Sequence, residues 1–179
     1  MAISTFDGPV RSLNGFYSQG AGNVVSLTSS TTLTVAAHAG KILKVGGTLA
    51  SNLTITLPAI NTTANAPAAG PGADPNTQNN QSATFTILVD ATVVTSSVKI
   101  GTNGTDKFIG SVLSIDSDTA GAMAGFVPAA ANDFINLNGS DTGGVVGTCI
   151  TITSLTTNKY MVNGVIVCTG SPATPFANS

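Results

Sequence analysis

The segment Leu53-Thr54-Ile55-Thr56-Leu57, followed directly by Pro58, indicates the fold class more clearly than any other stretch of this chain. Apolar and polar side chains alternate over five residues, which is typical of a β-strand with one buried and one exposed face. Pro58 ends the pattern because its nitrogen carries no hydrogen for a sheet hydrogen bond. The segment therefore predicts a half-buried strand that ends at residue 57.

Short runs of the same kind recur on both sides of this strand, separated by Gly-Gly and Asn-Gly turn signals. Many short strands at this spacing predict an all-β fold, namely an antiparallel β-sandwich or barrel. No long amphipathic helix is expected, because the Ala-rich stretch 119–131 is interrupted by Gly125 and Pro128. The other predicted strands are residues 23–28, 31–36, 41–45, 83–90, 93–100, 107–115, 134–137, 145–155 and 159–168.

The 179 residues suffice for one domain with extensions. We expect an extended N-terminal arm (1–22), a single β domain (23–170) and a C-terminal tail (171–179). Residues 61–82 form a long Pro/Asn/Gly-rich loop inserted in the domain, and such loops are usually functional or disordered. Two interpretations of the loop stay open, namely contact with an adjacent subunit and plain mobility.

The N-terminal arm lacks strand periodicity but contains scattered apolar and aromatic side chains. Alone, such an arm could not bury enough surface to offset the entropy lost on ordering. We therefore expect it to dock, either on a partner or on its own domain.

The composition is unusually poor in charge. Charged residues make up 8% of the chain, whereas an ordinary globular domain contains about 25%. This favours a structural assembly protein whose surface is covered by copies or partners, and not an enzyme. The alternative is a secreted β-protein that relies on Thr and Asn for solubility.

The six cations are dispersed and the net charge is −2, so direct binding of nucleic acid is not expected. No apolar run approaches the roughly 20 residues of a membrane span, so no membrane association is expected. The N-terminus lacks the basic start and apolar block of a secretory signal, which predicts synthesis in a cytoplasm.

Cys149 and Cys168 flank a predicted hairpin, where a turn at Asn158-Lys159 would place them opposite each other. Cross-strand cysteines at that distance can form a disulfide, but a reducing compartment favours free thiols. Both possibilities stay open. The hairpin also has apolar side chains on both faces, which implies a second layer on each side. One face carries Ile150, Ile152, Met161, Val165 and Val167, and the other carries Leu155, Val162, Ile166 and both cysteines.

No catalytic, cofactor or metal site is expected. His38 is the single histidine and lies in an apparent turn, without the partners of a Ser-His-Asp triad. Asp116-Ser117-Asp118 lacks the Gly and Glu of an EF-hand loop, so a solvated turn is favoured over a cation site. Asp141-Thr142-Gly143 spells an aspartic protease signature, but that chemistry needs two carboxylates, and a hairpin loop is favoured.

An ordered series of motifs resembles a β-module common in virion proteins of tailed phages. The series is TTLTVAAHAGKILKV (31–45), LTITLPA (53–59), ATFTILVD (83–90) and VKIGTNGTDKFIG (98–110). The opening MAISTFDGPVRSLNGFY (1–17) resembles the N-terminal arm of small head proteins of marine and cyanobacterial phages. Together they resemble head decoration, or cement, proteins.

This resemblance implies a homotrimer on the outer capsid surface of the virion that binds the major capsid protein and ties neighbouring capsomers together. It implies that residues 1–18 form the capsid-binding arm, and the predicted contact residues are Phe6, Asp7, Arg11, Leu13, Phe16 and Tyr17. A head- or tail-fibre subunit that contacts a host receptor is the alternative. A cellular surface-layer or adhesin-like domain is a third possibility, but it would need an export signal.

Overall fold

The computed structural model describes residues 20–64, 76–118 and 121–178. Within these ranges the chain forms thirteen strands in two sheets, one 3₁₀ turn (Ala21–Asn23) and one short helix, α1 (Val35–His38). The all-β prediction is confirmed. The first six strands are β1 (Val24–Ser26), β2 (Thr31–Thr32), β3 (Ile42–Thr48), β4 (Leu53–Thr56), β5 (Thr84–Val94) and β6 (Val98–Gly101). The remainder are β7 (Lys107–Gly110), β8 (Val112–Asp116), β9 (Met123–Phe126), β10 (Phe134–Leu137), β11 (Cys149–Thr156), β12 (Lys159–Cys168) and β13 (Phe176–Ala177).

The larger sheet has eight strands in the order β1-β3-β5-β11-β12-β8-β9, with β7 pairing with β12 beside β8. The smaller sheet has five strands in the order β13-β10-β6-β4-β2. The first six strands alternate between the two sheets along the chain: β1, β3 and β5 lie in the larger sheet and β2, β4 and β6 in the smaller. After each of the first five strands, the chain therefore crosses to the other sheet.

This alternation corrects the expectation of antiparallel sheets, because both sheets are mixed. β3 pairs in parallel with β1 and β5, and β4 pairs in parallel with β2 and β6. A strand that crosses to the other sheet and returns beside its predecessor runs in the same direction as that predecessor. A tight hairpin would instead give an antiparallel pair, as it does for β11 with β12.

One hydrophobic core is shared by both sheets. The larger sheet contributes fully buried side chains such as Phe85, Ile87 and Ile150, and the smaller sheet contributes Ile55 and Ile100. β4, β11 and residues 84–90 of β5 alternate buried with less buried residues, as expected where one face packs on a core. The prediction from residues 53–57 is therefore confirmed, since Leu53, Ile55 and Leu57 are all buried.

Several predicted boundaries differ from the structure. The predicted strand 31–36 ends after Thr32, and α1 follows because the Thr34 side chain accepts a hydrogen bond from the Ala37 N–H at the helix start. The predicted strand 107–115 is divided into β7 and β8 at Gly110, whose φ of 106° breaks the extended backbone. β9 lies in the Ala-rich stretch for which no strand was predicted.

The C-terminal segment 171–179 contains β13, which pairs antiparallel with β10 at the edge of the smaller sheet. Phe176 is 6% exposed and belongs to the shared core. The N–H of Asn136 also donates to the Pro175 carbonyl at 2.8 Å. This part of the predicted tail is therefore packed on the domain.

Candidate functional site

The predicted partner-binding residues lie outside the described part of the chain, which begins at Gly20. These residues are Phe6, Asp7, Arg11, Leu13, Phe16 and Tyr17. From Gly20 the chain passes through the 3₁₀ turn into β1, at one edge of the larger sheet. The predicted arm therefore joins the domain at that edge, and its contact residues stay a prediction.

The predicted loop 61–82 leaves and re-enters the domain at one closed point. The Asn61 N–H donates to Asn80 Oδ1 at 2.8 Å, and the Asn80 N–H donates to the Asn61 carbonyl at 3.0 Å. Asn80 is buried and also donates from Nδ2 to the Ala59 carbonyl at 2.8 Å. Residues 65–75, between these ends, lie outside the described residues. Contact of the loop with an adjacent subunit stays a prediction.

His38 holds the end of α1. Its Nδ1 accepts a hydrogen bond from the Thr34 N–H at 2.9 Å, so the imidazole and the Thr34 side chain together close one helical turn. The contacts of the imidazole are with the backbone and the hydroxyl of Thr34, four residues earlier. His38 therefore has a local structural role in the helix.

The acidic turn 116–118 uses its carboxylates to hold backbone amides. Asp116 Oδ1 accepts from the Asp118 N–H at 3.0 Å, and Asp118 Oδ2 accepts from the Gly170 N–H at 3.0 Å. Asp116 Oδ2 is buried without a hydrogen-bond partner. Within 20–64, 76–118 and 121–178, no three His, Cys, Asp or Glu side chains are grouped to hold a metal ion.

Asp141 also lies in a turn. Its Oδ1 accepts a hydrogen bond from Asn138 Nδ2, and Ser140 and Gly143 form an isolated antiparallel bridge around it. Gly143 has a φ of 95°, and a Cβ there would lie 2.0 Å from Ile166 Cγ2. The glycine of the Asp-Thr-Gly triplet is therefore explained by the turn conformation and by the close approach of Ile166.

A buried polar cluster that the sequence reasoning missed connects β12 of the larger sheet with the segment that follows β4. Asp106 is 2% exposed and accepts from the Ile60 N–H at 3.1 Å. Burial raises the pKa of Asp106, while the Ile60 hydrogen bond and the Lys107 charge oppose that shift. Tyr160 donates to the Pro58 carbonyl at 2.6 Å, and burial together with the Asp106 charge raises the pKa of its phenol.

Next to this cluster, Lys107 Nζ lies 2.8 Å from Asp133 Oδ2. Asp133 is buried and Lys107 is partly exposed. The pair ties the start of β7 to the start of β10. The sequence contained a signal for this polar cluster. The run Thr105-Asp106-Lys107 lies at the start of an apolar strand, which is unusual in a chain so poor in charge.

Both cysteines are free thiols. The hairpin register places Cys149 opposite Val165 and not opposite Cys168, because the turn lies at 157–158 and β11 contains a bulge between Ser154 and Thr156. Cys149 is half-buried and Cys168 is fully buried. They lie on opposite faces of the larger sheet, so the geometric argument for a bridge is wrong.

The same register corrects the predicted faces of the hairpin. Ile150 and Ile152 share the buried face with Tyr160, Val162 and Ile166. Met161, Val165 and Val167 lie on the opposite face together with Cys149, and Val165 is 38% exposed. The sheet therefore does have apolar side chains on both faces, but with a different partition from the one predicted.

On the face of the larger sheet that points away from the core, apolar side chains form two adjacent rows across the strands. We name these seven residues the outer apolar patch: Leu88, Cys149, Val165 and Leu113 in the first row, and Val167, Ile115 and Met123 in the second. Leu113 is 41% exposed and Met123 is 69% exposed. An outward sheet face in contact with water normally carries polar side chains at such positions.

Polar groups border the patch on one side, although the exposed Ile42 and Ile109 lie on the same outward face. The neighbouring row contains Thr86, Thr151 and Asn163. Beyond Leu88 the first row continues to Lys44, which forms an ion pair with Asp90. An uncharged apolar centre next to polar side chains is a composition found in protein–protein interfaces.

No family model matches this chain, and neither a curated protein nor a solved structure shows significant similarity to it. Among the described residues, no helix is long and apolar enough to cross a membrane.

Proposed function

We propose that this chain is a structural virion protein, a decoration or cement protein that binds the outer surface of a phage head and stabilises contacts between capsomers. The observation that carries this proposal is the outer apolar patch on a chain in which 8% of residues are charged. A free monomer is kept soluble by scattered charge and seldom exposes a contiguous apolar area. A protein whose surface is covered in the assembled state needs no scattered surface charge, and it can carry a contiguous apolar area.

The capsid contact belongs in this proposal to residues 1–18, with Phe6, Arg11, Phe16 and Tyr17 as the main contacts and Asp7 and Leu13 beside them. The described chain starts at the edge of the larger sheet, so an arm that leaves there can reach a neighbouring surface. We further propose that the two sheets form a β-sandwich and that the protein is a homotrimer. Three arms on one oligomer would give avidity without tight individual contacts.

The test is a head-binding assay with purified full-length protein and with a variant that lacks residues 2–18. Heads pelleted with the full chain should retain it, and the deletion variant should remain in the supernatant. Circular dichroism and thermal melting of both proteins control for folding. Immunogold microscopy of source particles should place label evenly over the head. Retention of the deletion variant would overturn the role of the arm, and label confined to tails or fibres would overturn the decoration proposal.

The alternative, a fibre subunit that contacts a host receptor, is favoured by one feature. A crevice of about 360 Å³ lies between the β1–β2 and β3–β4 connections and is lined by Ser, Thr and Asn side chains together with Leu49, Ala50 and Leu53. Hydroxyl and amide groups can bind sugars, but the crevice lacks an aromatic side chain for stacking. Binding of the protein to a glycan array, lost in Asn52→Ala, would support this alternative.

A further inference from the structure

Asp116, the last residue of β8, has a buried carboxylate that is only half hydrogen-bonded. The residue is 4% exposed. Its Oδ1 accepts a hydrogen bond from the Asp118 N–H at 3.0 Å, which holds the carboxylate against the turn 116–118. Its Oδ2 is buried at the same place without a hydrogen-bond partner. Buried charges in proteins are normally paired or bind metal ions, because an oxygen that loses its water without a replacement partner is strongly destabilising.

No cationic side chain compensates this carboxylate in the part of the chain that the structure describes. The two ion pairs found there are Lys44 with Asp90 and Lys107 with Asp133, and neither includes Asp116. The positive partner that Asp116 Oδ2 requires must therefore come from outside these side chains.

The surroundings of Asp116 add further negative charge. Asp118 is exposed, and its Oδ2 accepts a hydrogen bond from the Gly170 N–H at 3.0 Å. Asp141 packs against the same C-terminal segment, because the Ala173 N–H donates to the Asp141 carbonyl at 2.9 Å. Three carboxylates that form no ion pair within the described ranges therefore lie around residues 168–173. A concentration of one sign of charge attracts counter-ions to that end of the molecule.

An uncharged oxygen donor accompanies Asp116 on the buried side of β8. Asp116 and Cys168 are partners in the parallel register of β8 and β12, and both are buried. The Cys168 sulfur lies 3.9 Å from the Gly170 carbonyl oxygen. Gly170 thus directs its N–H to Asp118 and its carbonyl towards the side chain beside Asp116. The turn 116–118 and the segment after β12 place carboxylate and carbonyl oxygens at one location.

These donors fit a calcium ion better than other common metal ions. Ca²⁺ binds carboxylate and backbone carbonyl oxygens in flexible geometry and completes its coordination with water, whereas Mg²⁺ demands a near-ideal octahedron. Zn²⁺ needs three or four nitrogen, sulfur or carboxylate ligands, and in the described ranges no three His, Cys, Asp or Glu side chains are grouped for that purpose. Sites with few charged ligands bind Ca²⁺ with a Kd of about 0.1–1 mM.

We propose that Asp116 Oδ2 is a ligand of a bound Ca²⁺ ion, with the carboxylate of Asp118 and the carbonyl oxygen of Gly170 as further ligands. The ion supplies the positive charge that the buried carboxylate lacks, and it joins the turn 116–118 to the segment after β12. This site revises the expectation of a solvated turn, because a solvated carboxylate would not be buried. It does not depend on the decoration function, since it concerns the purified protein in the absence of heads.

Calorimetric titration of chelator-treated, full-length protein with CaCl₂ tests the proposal. The wild type should bind one Ca²⁺ with a Kd of about 1 mM or lower. Asp116→Asn keeps an oxygen that can accept the Asp118 N–H but removes the charge, so its affinity for Ca²⁺ should fall at least about tenfold. Asp141→Asn is the matched control, because it removes the same charge from the same end of the molecule without touching the proposed ligands. Its affinity should equal that of the wild type.

Thermal melting provides a second measurement. A ligand that binds only the folded state stabilises it, so about 10 mM CaCl₂ should raise the melting temperature of the wild type by at least about 3 °C over that in EDTA. Asp141→Asn should show the same rise and Asp116→Asn should show none. MgCl₂ at the same concentration controls for ionic strength and should have a smaller effect.

Three results would overturn the proposal. The wild type could bind no Ca²⁺ up to about 10 mM and melt at the same temperature in CaCl₂ and in EDTA. Asp116→Asn and Asp141→Asn could lose the response equally, or MgCl₂ could reproduce it, and either result would mean that cations only screen the acidic end. Where circular dichroism shows that Asp116→Asn does not fold, Asp118→Asn at the exposed ligand takes its place, and an unchanged Ca²⁺ affinity of that variant would exclude the site.

Discussion

The phenol of Tyr160 donates a hydrogen bond to the carbonyl oxygen of Pro58, at an oxygen–oxygen distance of 2.6 Å. Tyr160 is fully buried in β12 of the larger sheet, and Pro58 lies two residues after the end of β4 in the smaller sheet. The bond joins two elements that are 102 residues apart in sequence. It also satisfies a polar group that could otherwise not be buried.

Tyr160→Phe should reduce the free energy of unfolding by about 1–3 kcal/mol, because the Pro58 carbonyl loses its donor while the ring continues to fill the core. Urea denaturation followed by circular dichroism measures the change. Met161→Leu, on the half-buried outer side of the same strand, is the control and should cost less than about 1.5 kcal/mol. An unchanged midpoint for Tyr160→Phe would show that the bond contributes nothing net.

The phenol of Tyr160 should also resist ionisation at high pH. Its pKa is raised by burial and by the Asp106 charge, so the folded state holds this proton more tightly than the unfolded state does. The free energy of unfolding should therefore fall as the pH rises above about 10, the ordinary tyrosine pKa. Absorbance at 295 nm, recorded with Tyr17→Phe so that one tyrosine remains, should rise together with unfolding. A reversible transition near pH 10 in the folded protein would contradict this expectation.

Asp106→Asn should raise the free energy of unfolding more at neutral pH than at acidic pH. Burial raises the pKa of Asp106 above its ordinary 3.8, so the folded state binds the proton more readily, and stability from this group declines as the pH rises from that value through the folded pKa. Asparagine keeps an oxygen that can accept the Ile60 N–H but carries no charge.

The measurement for Asp106 is urea denaturation of wild type and variant between pH 4 and pH 7. The stability difference in favour of Asp106→Asn should grow with pH. A difference that shrinks with pH would mean that the ionised carboxylate is the stabilised form. Asp90→Asn is the control, since Asp90 is partly exposed and belongs to a surface ion pair of small energetic value.

Denatured protein, prepared without reductant, should contain two titratable thiols per chain, because Cys149 and Cys168 lie on opposite faces of the larger sheet. Titration with Ellman's reagent in guanidinium chloride counts them. In the folded protein at low concentration, Cys149 should react much faster than Cys168, which is fully buried. A count of zero would mean that the two sulfurs are bridged.

Gly110→Ala should destabilise the protein by at least about 2 kcal/mol. Gly110 has a φ of 106°, and a Cβ at this position would lie 2.2 Å from the Val162 carbonyl oxygen. Gly125→Ala is the matched control, because a Cβ there meets no atom within 4 Å and its φ is ordinary. Thermal melting compares the two variants, and equal melting temperatures would refute the role assigned to Gly110.

The sequence by itself determined the fold class and most of the strands. Leu53, Ile55 and Leu57 alternate with threonines, and alternation with period two has one structural solution, a strand with one face on a core. Local patterns also predicted that the Asp141 segment is a turn, whereas the predicted turn at His38 is the last residue of helix α1. The fold class and the turn needed only neighbours within a few residues, whereas a covered surface, inferred from the low charge, stays a prediction.

Only the tertiary structure decided which strands are neighbours and which face of each strand is covered. The crossings between sheets make β3 and β5 parallel. If successive strands were joined by hairpins, the pairs would instead be antiparallel. A shift of three residues in the hairpin register, set by the turn at 157–158, separated Cys149 from Cys168. The same register brought Val165 beside Leu113 and formed the outer apolar patch from strands that are about 50 residues apart. Side chains distant in sequence meet because of register and crossing, and these depend on the packing of the whole chain and not on any local pattern.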